Sequence, residues 1–154
     1  MTASDVSLEV RTQAGQVLGQ LGDPRKGVCS LEPAWERAYP EPSRRVTVGA
    51  GAESPLFIAK YPVTNAQYRF FVEERGYQNP AYWPEAIEAG DWKDGTAGHL
   101  WDESRTCPVY WDDSLWNIPN HPVVGVNWYE AVAYCHWLTE KLRALGALGQ
   151  DEVV

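Results

Sequence analysis

HPVVGVNWYEAVAYCHWL, residues His121 to Leu138, is the stretch whose reading decides the fold. Its front half is extended and rich in valine, and it turns abruptly into a helix at Asn127. The Asn127 side chain can accept from the open N–H groups of the first turn, and Glu130, three residues on, can reach back to the Asn127 backbone. Beyond the cap, Trp128, Ala131, Cys135, Leu138, Leu142 and Leu145 recur at helical spacing, which predicts a buried stripe from Trp128 to about Leu145. Tyr134 and Trp137 widen that face, so burial on more than one side is expected. YPVTNAQYRFF, Tyr61 to Phe71, repeats the design. Thr64 and Gln67 form a second capping box, with Val63 and Tyr68 placed as a hydrophobic staple. Helices are therefore predicted to begin within about two residues of Asn65 and of Trp128.

Working outward, residues 5 to 21 read as a helix on the spacing of Val10, Ala14, Val17, Leu18 and Leu21, stopped by Gly22 and Pro24. Gly15 and Gly19 each weaken it by about 1 kcal/mol relative to alanine. One apolar stripe on a lone helix still needs something to pack on. From Val28 the chain is proline-rich and aperiodic. Arg45 to Val48 and Leu56 to Tyr61 then read as strands joined through GAGAESP, a β-hairpin. The organisation expected is an N-terminal helix and connector over 1–27, an irregular lead-in over 28–44, and one α+β domain over 45–154. That domain has two main helices, the short hairpin and long ordered loops.

The longest loop runs from Tyr77 to Pro122, with a short helix expected around Pro84 to Ala89. Of the eight tryptophans, Trp83, Trp92, Trp101, Trp111 and Trp116 lie here. A structureless loop of this length is unusual in a compact domain, and indole rings bury large areas. Trp83, Trp111 and Trp116 are accordingly expected to pin the loop against the helix that begins at Trp128. The other reading makes residues 78–117 an exposed aromatic groove for a peptide or sugar, with the same three tryptophans as its binding surface.

Charge and composition exclude several classes of function. At 154 residues, 44 % hydrophobic and 22 % charged, the chain reads as globular. Its net charge is −8. Glu85, Glu88, Asp91, Asp94, Asp102, Glu103, Asp112 and Asp113 crowd the long loop against only Lys93 and Arg105, which reads as a solvated acidic face. Such a surface repels a phosphate backbone and disfavours nucleic acid. No apolar run is long enough for a membrane span, and MTASDVSLEVR has neither the basic start nor the apolar core of a secretory leader. A cytoplasmic location is expected, or a place within a larger chain.

Nor does any catalytic pattern appear. Cys29, Cys107 and Cys135 show no metal spacing, and the expectation is reduced thiols, with Cys135 in the core. His99, His121 and His136 form no zinc pair. Asp102 with Glu103 and Asp112 with Asp113 are adjacent, and adjacent side chains on an extended chain point apart, so no carboxylate dyad is expected. DWKDG and DDSLWN carry oxygen ligands but miss the EF-hand register.

Taken together, PVTNAQYRFFVEERG and HPVVGVNWYEAVAYCHWL resemble the paired signature of the formylglycine-generating enzyme, or sulfatase-modifying factor, family. The resemblance runs from about Val46 to Leu145. It implies a C-type-lectin-like α+β fold, of which these motifs form the N-terminal half. It also implies that the next family landmark, an RLPTEAEWE-like motif, would follow shortly after AYCHWL, where this chain ends in Val153 and Val154. In full-length relatives the copper-binding cysteine pair and the calcium ligands lie beyond it. Cys135 matches the cysteine of the AYC motif, a disulfide partner in some relatives and not the catalytic thiol. No catalytic, cofactor or metal residue is therefore carried over to this sequence. AGQVLGQLGDPR resembles the closing helix of a HEAT-like repeat and the connector found before such domains in large bacterial proteins. The resemblance implies partners in the remainder of the domain or in a larger multidomain chain, and a peptide substrate. Some family members use non-haem iron held by an additional domain. The resulting expectation is a scaffold portion without autonomous thiol oxidation, with apolar surface left uncovered on the Trp128 helix. The alternative is a lectin-like binding module using the aromatic loop.

Overall fold

The computed structural model describes residues 6–25, 28, 42–45, 57–59, 61–101, 103–146, 148–150 and 153–154, with 42–45 and 57–59 described by backbone alone. Cys29, Asp102 and nearly all of the 28–44 lead-in fall outside these residues. The architecture is mixed α and β. In chain order the elements are α1 (Leu8–Leu21), β1 (Pro42–Arg45), β2 (Phe57–Ala59), α2 (Asn65–Glu73), α3 (Pro84–Ala89), β3 (Trp92–Lys93), β4 (Thr96–Ala97) and α4 (Trp128–Ala144). Short 3-10 turns at Gly76–Gln78, Pro80–Tyr82 and His99–Trp101 fill the long loop. Two compact units result: Met1–Gln67 with Ile118–Pro122, and Tyr68–Asn117 with Val123–Val154.

In the first unit, Ser7 caps α1 by accepting from the Val10 N–H at 3.3 Å. Most of the expected apolar stripe does not pack: Val10, Ala14, Val17 and Leu21 are exposed and Leu18 is half-buried, whereas Gly19 is the buried residue of α1. The packed face is the glycine face. Asn120 donates to the Gly15 carbonyl at 3.0 Å, and a Cβ at Gly19 would sit 2.2 Å from Asn120 Oδ1. Glycines that lower helix propensity thus permit a polar side chain to lie directly on the helix backbone. Asn120 also donates to the buried Asp23 at 3.1 Å, and the Arg25 guanidinium bonded to Asp23 holds that carboxyl down at about 2.

Here too the cap of α2 is as the sequence predicts. The Gln67 N–H reaches Thr64 Oγ1 at 3.3 Å and the Thr64 N–H reaches Gln67 Oε1 at 2.9 Å. Asn65 and Ala66 donate their N–H groups to the carbonyls of His121 and Pro119, and Thr64 bridges to Pro122. The extended starts of the two signature motifs therefore meet each other and satisfy donors that a helix N-terminus leaves open. The hairpin also forms, with β1 antiparallel to β2, but its first strand lies at Pro42–Arg45, ahead of the expected Arg45 to Val48. Pro42 opens that strand, a position where a missing N–H is tolerated. Val46 to Val48 are outside the described residues.

The second unit holds an aromatic core. Tyr68, Phe71, Tyr77, Trp83, Tyr134 and Trp137 are buried, with Tyr68 stacked on Tyr134 at 4.9 Å and Phe71 edge-on to Trp137 at 5.7 Å. Buried indoles find acceptors: Trp83 donates to the Gly76 carbonyl at 2.9 Å and Trp137 to Glu74 at 3.2 Å. Helix α4 begins at Trp128 as predicted, yet its buried face is Glu130, Ala133, Tyr134, Trp137, Leu138 and Thr139. Of the expected stripe only Leu138 is buried. Trp128, Ala131 and Leu145 are exposed, and Cys135 and Leu142 are half-buried. The period was legible and the phase was not, because the helix rolls to put the two large rings and the Glu130 carboxylate inward.

Gly15→Ala, with nothing near its new methyl group, should stabilise the protein by about 1 kcal/mol. Gly19→Ala should destabilise it by roughly 1–3 kcal/mol, because Asn120 must leave its partners. Thermal unfolding of the two variants, followed by circular dichroism, separates the two signs.

Candidate functional site

The polar centre of the second unit is built around the start of α4. Asn127, in extended conformation, accepts from the Glu130 N–H at 2.9 Å and donates its own N–H to Glu130 Oε2 at 2.7 Å. The capping box is reciprocal, but its carboxylate does more than cap. Glu130 is wholly buried and receives Arg105 Nε at 3.1 Å, Arg105 Nη2 at 2.7 Å and the Tyr77 hydroxyl at 2.7 Å. A buried carboxylate needs such a paired and hydrogen-bonded surrounding to stay charged. Burial, reinforced by its neighbours, pushes the Tyr77 hydroxyl well above the usual tyrosine range, so it remains a donor.

Asp91 is the second buried carboxylate, a correction to the reading that placed it on a solvated acidic face. Its oxygens accept from the Gly98 N–H at 3.3 Å, the Leu100 N–H at 3.2 Å and Asn127 Nδ2 at 3.0 Å. Between those points the chain makes the β3–β4 hairpin, whose turn has Asp94 at φ 51° and Gly95 at φ 86°. Asp-Gly at two left-handed positions is the signature of a type I′ hairpin turn, so DWKDG makes the turn, and its first residue, Asp91, is held by the Gly98 and Leu100 N–H groups that follow. Asn127 thus links Glu130 to Asp91, and through them the loop from Asp91 to Arg105 is tied to the helix start.

Glu103, Ser104, Arg105, Cys107, Pro108, Val109 and Asp112 line an open cavity of about 260 Å³. Among the described lining residues the one cation is Arg105, and it is already engaged, since its Nη1 also meets Glu103 at 2.9 Å. Burial, then the negative charges of Asp112 and Glu130, push the Cys107 thiol up, and burial pushes Cys135 up. Both are free, and each is a protonated thiol near neutral pH, a weak ligand and a weak nucleophile. Among the described residues no three His, Cys, Asp or Glu side chains gather as a metal site. The described donor set does not fit a cuprous ion.

The three candidate tryptophans do not form one surface. Trp83 is 1 % exposed and packs on Tyr77 and Phe71. Trp111 is half-buried on Tyr68, with the Arg69 guanidinium 5.0 Å over its ring. Trp116 is 49 % exposed, contrary to the expectation of burial, and pairs with Tyr110 at 5.8 Å. The loop is ordered by its own hydrogen bonds, so it has no need to bury every indole. Val109, Tyr110 and Leu115 are exposed as well, within the loop read as a candidate aromatic groove but without Val109 or Leu115 being singled out; the cue was the polar DDS set between the apolar blocks of VYWDDSLW. No described helix is long and apolar enough to cross a membrane.

The family model described as the sulfatase-modifying factor enzyme 1-like domain matches residues 4–145. The mouse formylglycine-generating enzyme is 30 % identical over 120 residues, covering 66 % of this chain and 30 % of that protein. A hercynine oxygenase from Mycolicibacterium thermoresistibile is 36 % identical over 92 residues, covering 57 % and 20 %. Mouse inactive C-alpha-formylglycine-generating enzyme 2 is 32 % identical over 121 residues, covering 66 % and 36 %. The matched part of this chain thus corresponds to no more than about a third of each of these relatives. No solved structure gives a significant match.

Arg105→Met should cost about 3–5 kcal/mol, because it leaves Glu130 charged and buried without its cation. Glu103→Gln removes only the exposed partner of the same guanidinium and should cost less than about 1 kcal/mol. Urea unfolding followed by tryptophan fluorescence measures both.

Proposed function

The chain belongs to the sulfatase-modifying factor enzyme 1-like domain family, and on that premise we propose that it serves as the scaffold portion of a formylglycine-generating-enzyme-type domain with no thiol oxidation of its own. The observation that carries this is how completely its buried ionisable groups are spent on internal structure. Glu130 closes a cap and an ion pair, and Asp91 closes a loop onto Asn127. Neither of these two carboxylates lacks protein partners. Cys107 and Cys135 are thiols pushed up in pKa, whereas copper-dependent thiol oxidation calls for soft thiolate ligands. Relatives with names as different as formylglycine-generating enzyme, hercynine oxygenase and inactive C-alpha-formylglycine-generating enzyme 2 each align with more than half of this chain. That is the behaviour of a shared frame, since function lives in sites placed on folds. In this reading the frame is part of a C-type-lectin-like α+β domain. Its catalytic partners are residues of the family beyond those matched here, in the rest of such a domain. Exposed Trp128 and Leu145 on α4 offer apolar surface for that remainder.

A second reading, a binding module, has one observation in its favour. The loop that carries Tyr110 and Trp116 holds both rings in the open on an ordered backbone.

Anaerobic cuprous titration of the full chain, followed by oxygen and a cysteine-containing peptide, tests the scaffold reading. The expected result is no stoichiometric copper binding and peptide-thiol loss no faster than with free copper. Stoichiometric binding with oxygen-dependent loss of the peptide thiol would overturn it.

A further inference from the structure

Loop 108–117 of the second unit is organised as if to present side chains. Within it Trp111 donates to the Pro108 carbonyl, Asp113 to Tyr110, and both Trp116 and Asn117 to Asp113, all at 2.8–3.1 Å. Asp113 Oδ1 takes the Leu115 N–H at 2.8 Å, an Asx turn that sets the loop tip. Arg69 spans the inside, stacked over Trp111 and bonded to Asn117 Oδ1 at 3.1 Å. The loop entrance is fixed by Val109, which donates to the Gly125 carbonyl at 3.0 Å. Gly125 sits at φ 73°, and a Cβ there would meet the Tyr110 ring at 2.9 Å, so only glycine allows the approach. The loop's outward side shows the apolar side chains of Val109, Tyr110, Leu115 and Trp116, with Asp112, Asp113 and Ser114 exposed among them.

This surface runs into the cavity beside Cys107, because Val109 belongs to both and Asp112, from the same loop, lines the cavity. The cavity is electrically one-sided. Glu103 and Asp112 line it, Glu130 stands behind Arg105, and the Arg105 guanidinium is divided between Glu103 and Glu130. Burial is the main cause of the elevated Cys107 thiol, and the charges of Asp112 and Glu130 add to it against Arg105. Asp113, exposed at the loop tip, adds to the negative charge.

We propose that the cavity and the Val109–Tyr110–Leu115–Trp116 surface form one docking site for a polypeptide segment that carries a cationic side chain next to an apolar or aromatic one. This rests on the binding-module reading and names its ligand. The cation enters between Glu103 and Asp112, where complementary charge gives specificity and speeds encounter. Its apolar neighbour lies across Tyr110 and Trp116, ring types that dominate interface energetics. Because the loop is already held, little conformational entropy is lost on binding. A neutral sugar would use the rings but gain little from the acidic wall, and nucleic acid would be repelled by it.

The test uses the full-length chain and fluorescence anisotropy with labelled Gly-Ser-Lys-Leu-Trp-Lys-Gly-Ser. The matched glutamate peptide Gly-Ser-Glu-Leu-Trp-Glu-Gly-Ser and cellotetraose serve as comparisons. The lysine peptide should bind saturably, more weakly as salt rises, and should slow maleimide labelling of Cys107 in a chain carrying Cys29→Ser and Cys135→Ala. Trp116→Ala and Asp112→Asn should each weaken binding roughly tenfold or more, with near-ultraviolet circular dichroism unchanged. Equal binding of the glutamate peptide, or affinity unchanged in either variant, would overturn the proposal. Binding of cellotetraose without the lysine peptide would overturn it while leaving the binding-module reading standing. A folded chain that binds none of the three would remove both.

Discussion

Glu130 is a carboxylate with no exposed surface, and the arrangement of the second unit follows from the need to keep its charge satisfied. Two Arg105 nitrogens, the Tyr77 hydroxyl and the Asn127 N–H all converge on it. Each comes from a different stretch of chain, so meeting their common acceptor fixes where the loop through Arg105, the turn at Tyr77 and the start of α4 lie relative to the helix axis. A buried pair of this kind adds little when compared with well-packed apolar residues, yet leaving one partner alone is costly. Its effect is to make alternatives expensive. Asn127 extends the constraint to Asp91, whose oxygens gather the Gly98 and Leu100 N–H groups and close the β3–β4 hairpin region.

Around that centre the chemistry turns inward while the ligand-facing features turn outward. The aromatic core beneath α4 is apolar and its indole N–H groups are used by backbone and Glu74. By contrast, the 108–117 loop spends its backbone on itself and leaves two rings and two aliphatic side chains in the open. A scaffold with a pre-organised recognition loop is consistent with both halves of this pattern. It also fits a family whose matched relatives bear names for different activities while each aligns with more than half of this chain.

How much of this was legible in the sequence depended on range. Signals that act within one turn read correctly: Thr64 with Gln67, Asn127 with Glu130, and the short helix at Pro84–Ala89. Those that depend on a distant partner did not. Arg105 looked like one of two cations in an acidic loop, and Asp91 like one more solvated acid, because nothing local names their partners at positions 127 and 130. The phase of α4 was misread for the same reason. Trp128, Cys135 and Leu142 are as apolar as Tyr134 and Trp137, and only the ring stack on Tyr68 and the charge on Glu130 choose between the faces. In α1, Gly15 and Gly19 were read alike as weak points, because propensity sees a missing side chain at both and not that Asn120 occupies the space at Gly19 while Gly15 stands open. The Asp94-Gly95 turn was legible and was passed over in favour of the oxygen ligands around it.

Native-state hydrogen exchange tests the central role of the Glu130–Asn127–Asp91 network most directly. The backbone N–H groups of Gly98, Leu100 and Asn127 donate to side-chain carboxylates and belong to no helix or sheet ladder. If the network is the constraint on which the unit depends, these amides should exchange only through the same opening that releases Trp137 and Leu138 in the middle of α4. Matching opening free energies across the two groups are the predicted result. Exchange of Gly98, Leu100 and Asn127 near the unprotected rate, while the α4 amides stay protected, would contradict it.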